Sequence, residues 1–104
     1  MVKTHKEFSY VYNKGKNQHS SSVVLFFLPQ SGVHKVGFTA TKKLGNAVRR
    51  NRAKRRLRAV FCEYSPSLKN GIYIFVAKVG LFDASSEKLH NDFKKVLSRA
   101  KTFA

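Results

Sequence analysis

The sequence predicts an α+β (α/β) domain: one small mixed sheet of about four strands carrying three helices, in the order α-β-β-(β)-α-β-α. Apolar residues recur at helical spacing in three separate stretches. Between them lie runs that are dense in β-branched and aromatic residues, or that alternate apolar with polar ones. The chain has 104 residues, 42% of them hydrophobic, which is enough for one core and a single domain spanning 1–104.

The first helix is short. Thr4-His5-Lys6-Glu7 has the spacing of a capping box, and Phe8, Val11 and Tyr12 follow on one helical face. Gly15 suits a left-handed closing residue. So short a helix is unstable in isolation and must lean on something. Lys16 to Ser22 is polar and reads as a turn or a short edge strand. Val23 to Leu28 is an apolar run that reads as a strand with at least one well-covered face. Pro29-Gln30-Ser31-Gly32 punctuates it as a turn. Val36, Phe38 and Ala40 alternate with Gly37, Thr39 and Thr41, a half-buried strand. The short gap between these two runs predicts an antiparallel hairpin. Asn46 is placed to cap a helix from Ala47 to about Tyr64. In that helix Ala53, Leu57, Val60, Phe61 and Tyr64 form one stripe, and Ser65-Pro66-Ser67 ends it. Ile72 to Ala77 is a further apolar strand. The final helix runs from about Ser86 to Arg99, with Leu89, Phe93, Val96, Leu97 and Ala100 at the same spacing.

Charge indicates the partner. There are 21 Lys and Arg against 5 Asp and Glu, a formal charge of +16. No acid lies between Glu7 and Glu63, a stretch that holds 12 of the basic residues. Like charges at this density weaken a compact fold. A polyanion relieves the repulsion: nucleic acid first, with an anionic membrane surface as the rival.

The excess is concentrated on the central helix. From Arg49 to Arg58, Arg49, Arg50, Arg52, Lys54, Arg55, Arg56 and Arg58 are basic. The apolar stripe begins only at Ala53, and Arg50 occupies its next position toward the N-terminus, so the first half of the helix has no apolar face to bury. A solvated surface helix usually mixes charge signs in i,i+4 pairs; here no acid is within reach. Arg predominates, and its planar fork suits phosphate and base contacts. The basic helix is embedded among strands rather than in a helix-turn-helix or zipper, and Phe8, Tyr12 and Phe26 could stack on unpaired bases. Both points favour RNA over DNA. Ordinary core packing is the competing reading of those three rings.

The segment from Val36-Gly37-Phe38 through Phe61 resembles the signature of the bacterial ribonuclease P protein family. The match includes Lys42-Lys43, Gly45-Asn46-Ala47-Val48 and Arg50-Asn51-Arg52-Ala53-Lys54-Arg55, where the family carries its RNR motif. Glu7-Phe8, Val11-Tyr12 and Gly15 resemble its first helix, Val24-Leu25-Phe26 its apolar strand, and Ile74-Phe75-Val76-Ala77-Lys78 its last strand. The resemblance implies a subunit that joins a catalytic RNA and assists removal of the 5′ leader from precursor tRNA, with no further protein partner required. It implies a left-handed β-α-β crossover, against the usual right-handed rule. It assigns Lys42, Lys43, Asn46, Arg49, Arg50, Asn51, Arg52, Lys54, Arg55 and Arg58 to the catalytic RNA. It assigns Phe8, Tyr12, Phe26 and Lys78 to a cleft for the unpaired leader. At Ala53 and Arg56 the chain departs from the large aliphatic residues usual in the family. Ala53 thins the core stripe. Arg56 is expected to lay its stem across the sheet edge and send its guanidinium to solvent or phosphate.

Other function classes fit less well. Protein-based RNA cleavage needs paired acid/base groups or a metal cluster. Here His5, His19, His34 and His90 are scattered, as are the five acids. No catalytic or metal-ligating residue is therefore expected, and the resemblance implies Mg²⁺ held mainly by the RNA. A purely structural RNA-binding protein, such as a ribosomal component, would share the charge but need no leader cleft. A membrane-surface polycation would need large apolar residues opposite the charge, which the helix lacks before Ala53. No apolar run reaches the roughly 18 residues of a membrane span, and the N-terminal residues lack a signal peptide's apolar region. The lone Cys62 cannot form an internal disulfide. It is expected to be a packed, inert thiol in a reduced, cytoplasmic compartment.

Overall fold

The computed structural model describes residues 5–103, with the side chains of His5 and Glu7 excepted. The capping box expected at Thr4 and Glu7 lies outside the described residues. The chain forms α1 (His5–Lys14), β1 (Lys16–His19), β2 (Val23–Pro29), β3 (His34–Ala40), α2 (Ala47–Tyr64), β4 (Gly71–Ala77) and α3 (Ser86–Arg99). Short 3-10 turns occupy Lys42–Leu44, Ser65–Ser67 and Val79–Leu81. The expected α+β order holds, and Lys16–His19 is the edge strand rather than a turn.

The sheet order is β1-β2-β4-β3. β2 is antiparallel to both β1 and β4, and β3 runs parallel to β4. The expected β2–β3 hairpin does not form, because β4 lies between the two. Burial explains the insertion. β4 is buried along nearly its whole length on both faces, which suits a central strand, whereas β3 is mostly half-buried and takes the edge. The link from Gln30 to Val33 crosses two strand spacings, roughly 9.6 Å, which an extended segment of this length reaches. β3 and β4 are joined through α2, the β-α-β unit that the family resemblance implies.

Alternation assigns the side chains to two faces. Val23, Leu25 and Phe27 of β2, Val36, Phe38 and Ala40 of β3, and Tyr73, Phe75 and Ala77 of β4 share one face by register. α2 and α3 seal it with Ala53, Leu57, Val60, Phe61, Leu89, Phe93, Val96 and Leu97. Phe75 stacks on Phe93 and Phe27 on Tyr73, each pair with centroids 4.7 Å apart. Each large apolar side chain so buried contributes about 1.5–3 kcal/mol. Tyr73 donates its hydroxyl to the Lys69 carbonyl at 2.6 Å. Burial pushes its pKa up to about 12, so it stays neutral.

The other face carries Val24, Phe26 and Leu28 of β2, Ile72, Ile74 and Val76 of β4, and Gly37 and Thr39 of β3. α1 packs there through Val11 and Phe8. A helix of 10 residues cannot cover the face, so Phe26, Leu28 and Val76 stay partly exposed. Gly15 is not left-handed, contrary to expectation. A Cβ there would lie 2.7 Å from the Val11 carbonyl oxygen and 2.8 Å from that of Phe27. Glycine therefore lets the end of α1 approach β2 closely.

One buried polar knot joins α3 to the turn before β2. Asp92, 3% exposed, accepts hydrogen bonds from Ser22 Oγ at 2.5 Å, Lys88 Nζ at 3.0 Å and Ser21 Oγ at 3.2 Å. Burial pushes its carboxyl pKa up. The hydrogen bonds from Ser22, Lys88 and Ser21, with the Lys88 charge, outweigh that and hold it below the ordinary value. Cys62 is exposed rather than packed. It follows the buried Phe61 by one helical step, about 100° away from the stripe.

Candidate nucleic-acid interface

The basic helix begins at a fixed bend. Gly45 has φ 117°, a conformation that suits glycine, and turns the chain from Lys42–Leu44 into α2. Asn46 Oδ1 accepts from Arg49 N at 3.0 Å, the expected cap. No acid occupies the first turn, so the positive end of the helix dipole adds to the field of Lys42, Lys43 and Arg49. Lys42, Lys43 and Asn46 are all exposed.

The cations of α2 divide into two groups that the sequence does not distinguish. On one flank, Arg49 places its guanidinium over the Phe82 ring, 4.3 Å from the centroid. On the same flank Arg56 donates from Nη1 to the Leu81 carbonyl at 2.6 Å and from Nη2 to the Ala84 carbonyl at 2.8 Å. These two arginines clasp the loop that follows β4. The expectation for Arg56 is corrected, since two carbonyls at a turn end hold its guanidinium. Arg50 is half-buried at the stripe position, with Nε shut off from solvent and without a partner among the described residues. Its stem stands where an apolar residue would, so the first half of α2 does bury part of one side chain.

The outer side and the opposite flank carry the remainder. Asn51, Arg52, Arg55 and Arg58 are exposed and Lys54 half-exposed. Among the described residues none of these cations pairs with a carboxylate; Asp92 and Glu63 are taken by Lys88 and His90. The outward face of α2 is thus an unneutralised row of donors at the spacing of helical turns.

The three rings assigned to the cleft come together on the open sheet face. Phe8 and Tyr12 have centroids 6.2 Å apart, and Tyr12 meets Phe26 edge-on at 4.7 Å. Phe8 and Phe26 are partly core, while Tyr12 is 37% exposed. Burial raises the Tyr12 hydroxyl pKa against the opposing effect of a hydrogen bond with Thr39, so the hydroxyl remains a proton donor at neutral pH. Lys78 follows β4 and donates from Nζ to the Ser20 carbonyl at 2.9 Å.

An open groove of about 480 Å³ runs past Lys43, Leu44, Val76, Lys78 and Val79. It brings Lys43, assigned to one RNA, beside Lys78, assigned to the other. Val76 and Thr39 are the residues missed on this face. They are register partners across β3 and β4. The alternation of β3 carried the signal for Thr39, but the face it joins depends on the β3–β4 pairing.

Among the described residues no group of three or more His, Cys, Asp or Glu is placed to hold a metal ion. Nor is any described helix long and apolar enough to cross a membrane. His90 Nδ1 lies 3.4 Å from Glu63 Oε2 between α2 and α3, away from the aromatic cleft.

Comparison with known proteins gives the family and the fold. A family model described as Ribonuclease P matches residues 1–101. The ribonuclease P protein component of a Nitratiruptor species is 45% identical over 100 residues, covering 96% of this chain and 91% of that protein. The ribonuclease P protein component of Streptococcus thermophilus is 34% identical over 103 residues, covering 98% and 93%. Among solved structures, the RNase P protein of Staphylococcus aureus superposes with a TM-score of 0.87 at 28% identity, over 99% of this chain and 96% of that one. The RNase P protein of Thermotoga maritima, at 20% identity, shares the fold with a TM-score of 0.82 over 94% of each chain.

Proposed function

This chain belongs to the ribonuclease P protein family, the protein component of an endoribonuclease that processes tRNA, and from that premise we propose how its surfaces divide the work. The exposed cations Arg52, Lys54, Arg55 and Arg58, with Lys42, Lys43, Asn46 and Asn51, bind the catalytic RNA. Arg49 contributes the edge of a guanidinium whose face is already stacked on Phe82. Arg50 contributes mainly by holding the helix on its core. The rings of Phe8, Tyr12 and Phe26 hold unpaired bases of the precursor tRNA 5′ leader, and Lys78 at the cleft mouth meets a leader phosphate.

The observation that carries this reading is the outward row of unpaired cations on α2. Left bare, it repels itself; against phosphates it displaces condensed counterions and gains free energy. In this reading the chain supplies binding and orientation. No protein group is a catalytic residue, and Mg²⁺ held mainly by the RNA supplies the chemistry. The side chains of this chain position the RNA and the leader and lower the repulsion between them. The assembly works in the cytoplasm and requires no second protein.

The test is reconstitution. Purified chain, a bacterial ribonuclease P RNA and precursor tRNA are mixed at low Mg²⁺. Leader release is expected when all three are present and absent with the protein alone. Release by RNA-free protein would overturn the assignment of catalysis.

A further inference from the structure

A second groove lies on the far side of the sheet from the leader cleft. It measures about 440 Å³ and runs between α2 and the β3 edge, lined by Val36, Phe38, Arg58, Phe61, Cys62 and Pro66. Its floor is aromatic and firmly held. Phe38 stacks on Phe75 at 5.9 Å and meets Phe61 edge-on at 5.9 Å. Phe61 is buried, whereas Phe38 keeps part of its surface open.

Two features make this groove unlike ordinary core left uncovered. Arg58 stands over the Phe38 ring at 5.7 Å, exposed and without a carboxylate partner among the described residues. Among the described strands β3 pairs with β4 alone, so it is the edge strand beside the groove. An aromatic floor with a guanidinium above it suits an unpaired base.

Position selects the occupant. Lys54 and Arg58 lie one helical turn apart on this flank of α2, so RNA lying along the outward cations passes over the groove. A second copy of a chain carrying +16 would be repelled from the same flank. Resting on the assignment of α2 to the catalytic RNA, we propose that the Phe38–Arg58 groove takes an unpaired nucleobase of that RNA, separate from the leader cleft.

The lone cysteine supplies the probe. Cys62 is exposed and lines the groove, so iodoacetamide alkylation reports on its occupancy. In the full chain, ribonuclease P RNA at fixed Mg²⁺ is expected to slow alkylation in proportion to the fraction bound, whereas precursor tRNA alone leaves the rate unchanged. Unchanged alkylation in a complex whose assembly is verified by gel shift would overturn the groove and leave the role of α2 standing. Protection by precursor tRNA alone, or by raised protein concentration without RNA, would also overturn it, pointing to the other RNA or to a second copy. A failed gel shift would overturn the assignment of α2, and the groove with it.

Two variants separate stacking from charge. Phe38→Leu keeps the floor apolar and is expected to weaken RNA binding about five- to tenfold with the salt slope unchanged. Arg58→Ala is expected to flatten that slope by about one unit. Native-like circular dichroism of both variants checks the fold. If both leave affinity and slope at wild-type values, the proposal fails.

Discussion

The two faces of the sheet are built from the same strands with side chains alternating between them, yet they do different things. On the face sealed by α2 and α3, Tyr73, Phe75 and Phe93 are fully buried and stack on one another. On the face that only α1 approaches, Phe8, Tyr12 and Phe26 also meet ring to ring, but part of their surface remains open. Aromatic content alone therefore does not separate folding from recognition. What separates them is how much helix lies above the ring. α2 repeats the lesson with charge. Arg56 is held by two carbonyls of its own chain, while Arg55, the preceding residue, is exposed and pairs with no carboxylate among the described residues.

The sharpest way to break this comparison is to truncate one ring on each face. Phe93→Ala removes a ring that is 0% exposed and should cost about 3–5 kcal/mol. That is a large share of a small domain's total of roughly 5–15 kcal/mol. Urea titration followed by circular dichroism should find the variant largely unfolded or with a greatly lowered midpoint. Tyr12→Ala should cost much less, about 0.5–1.5 kcal/mol for the edge-to-face contact with Phe26 and about 1 kcal/mol for the hydrogen bond with Thr39, and the same titration measures it. If the two substitutions destabilise equally, the open face is core and the comparison collapses.

The polar knot at Asp92 comes next in size. Removing this carboxylate leaves Ser22 and Lys88 without their acceptor, and Asp92→Ala should cost about 1.5–3 kcal/mol at neutral pH. Its pH dependence has a definite sign. The folded-state pKa lies below the ordinary carboxylate value. The stability it supplies is complete above that ordinary value and is lost as pH falls through the lower folded-state value. Stability curves of wild type and Asp92→Ala should therefore converge as the medium is acidified through that window. Curves that stay parallel would show that the charge of Asp92 does not matter.

On the open face the expected signature is in binding. Tyr12→Ala should weaken precursor tRNA binding to the holoenzyme by about 1–3 kcal/mol, the range for base–aromatic stacking, and leave mature tRNA unaffected. Filter binding of the two tRNAs distinguishes the cases. Equal losses would place Tyr12 against the catalytic RNA.

Much of the fold was legible where the determinants are local. The bounds of α2 and α3 follow from Asn46 as a cap and from two apolar stripes, all short-range features. The strand order was not legible. Nothing local in β2 and β3 announces that β4, which arrives some thirty residues later in the chain, will separate them; only its burial on both faces hints at a central place. Gly15 looked like a helix terminator because the close approach of β2 that it serves is a tertiary fact. Within the candidate site, the density of cations on α2 was plain from composition. Which of them turn to the loop was not, because Arg49 and Arg56 are drawn aside by Phe82, Leu81 and Ala84, residues of a loop whose position depends on the whole sheet. Cys62 was misplaced by a single helical step from Phe61.

The central claim is that the outward cations of α2, and not Arg56, which the loop carbonyls hold, bind the catalytic RNA. The most direct measurement is the salt dependence of RNA affinity, taken in monovalent salt at fixed Mg²⁺ for wild type, Arg55→Ala and Arg56→Ala, with a melting curve for each. Some four to six phosphate contacts should give wild type a log–log slope on the order of −3 to −5. Arg55→Ala should flatten the slope by about one unit and leave the melting temperature in place. Arg56→Ala should keep the slope and lower the melting temperature by roughly 4–8 °C per kcal/mol lost with its two carbonyl bonds. A wild-type slope near zero, or a reversed pattern in the two variants, would contradict the account.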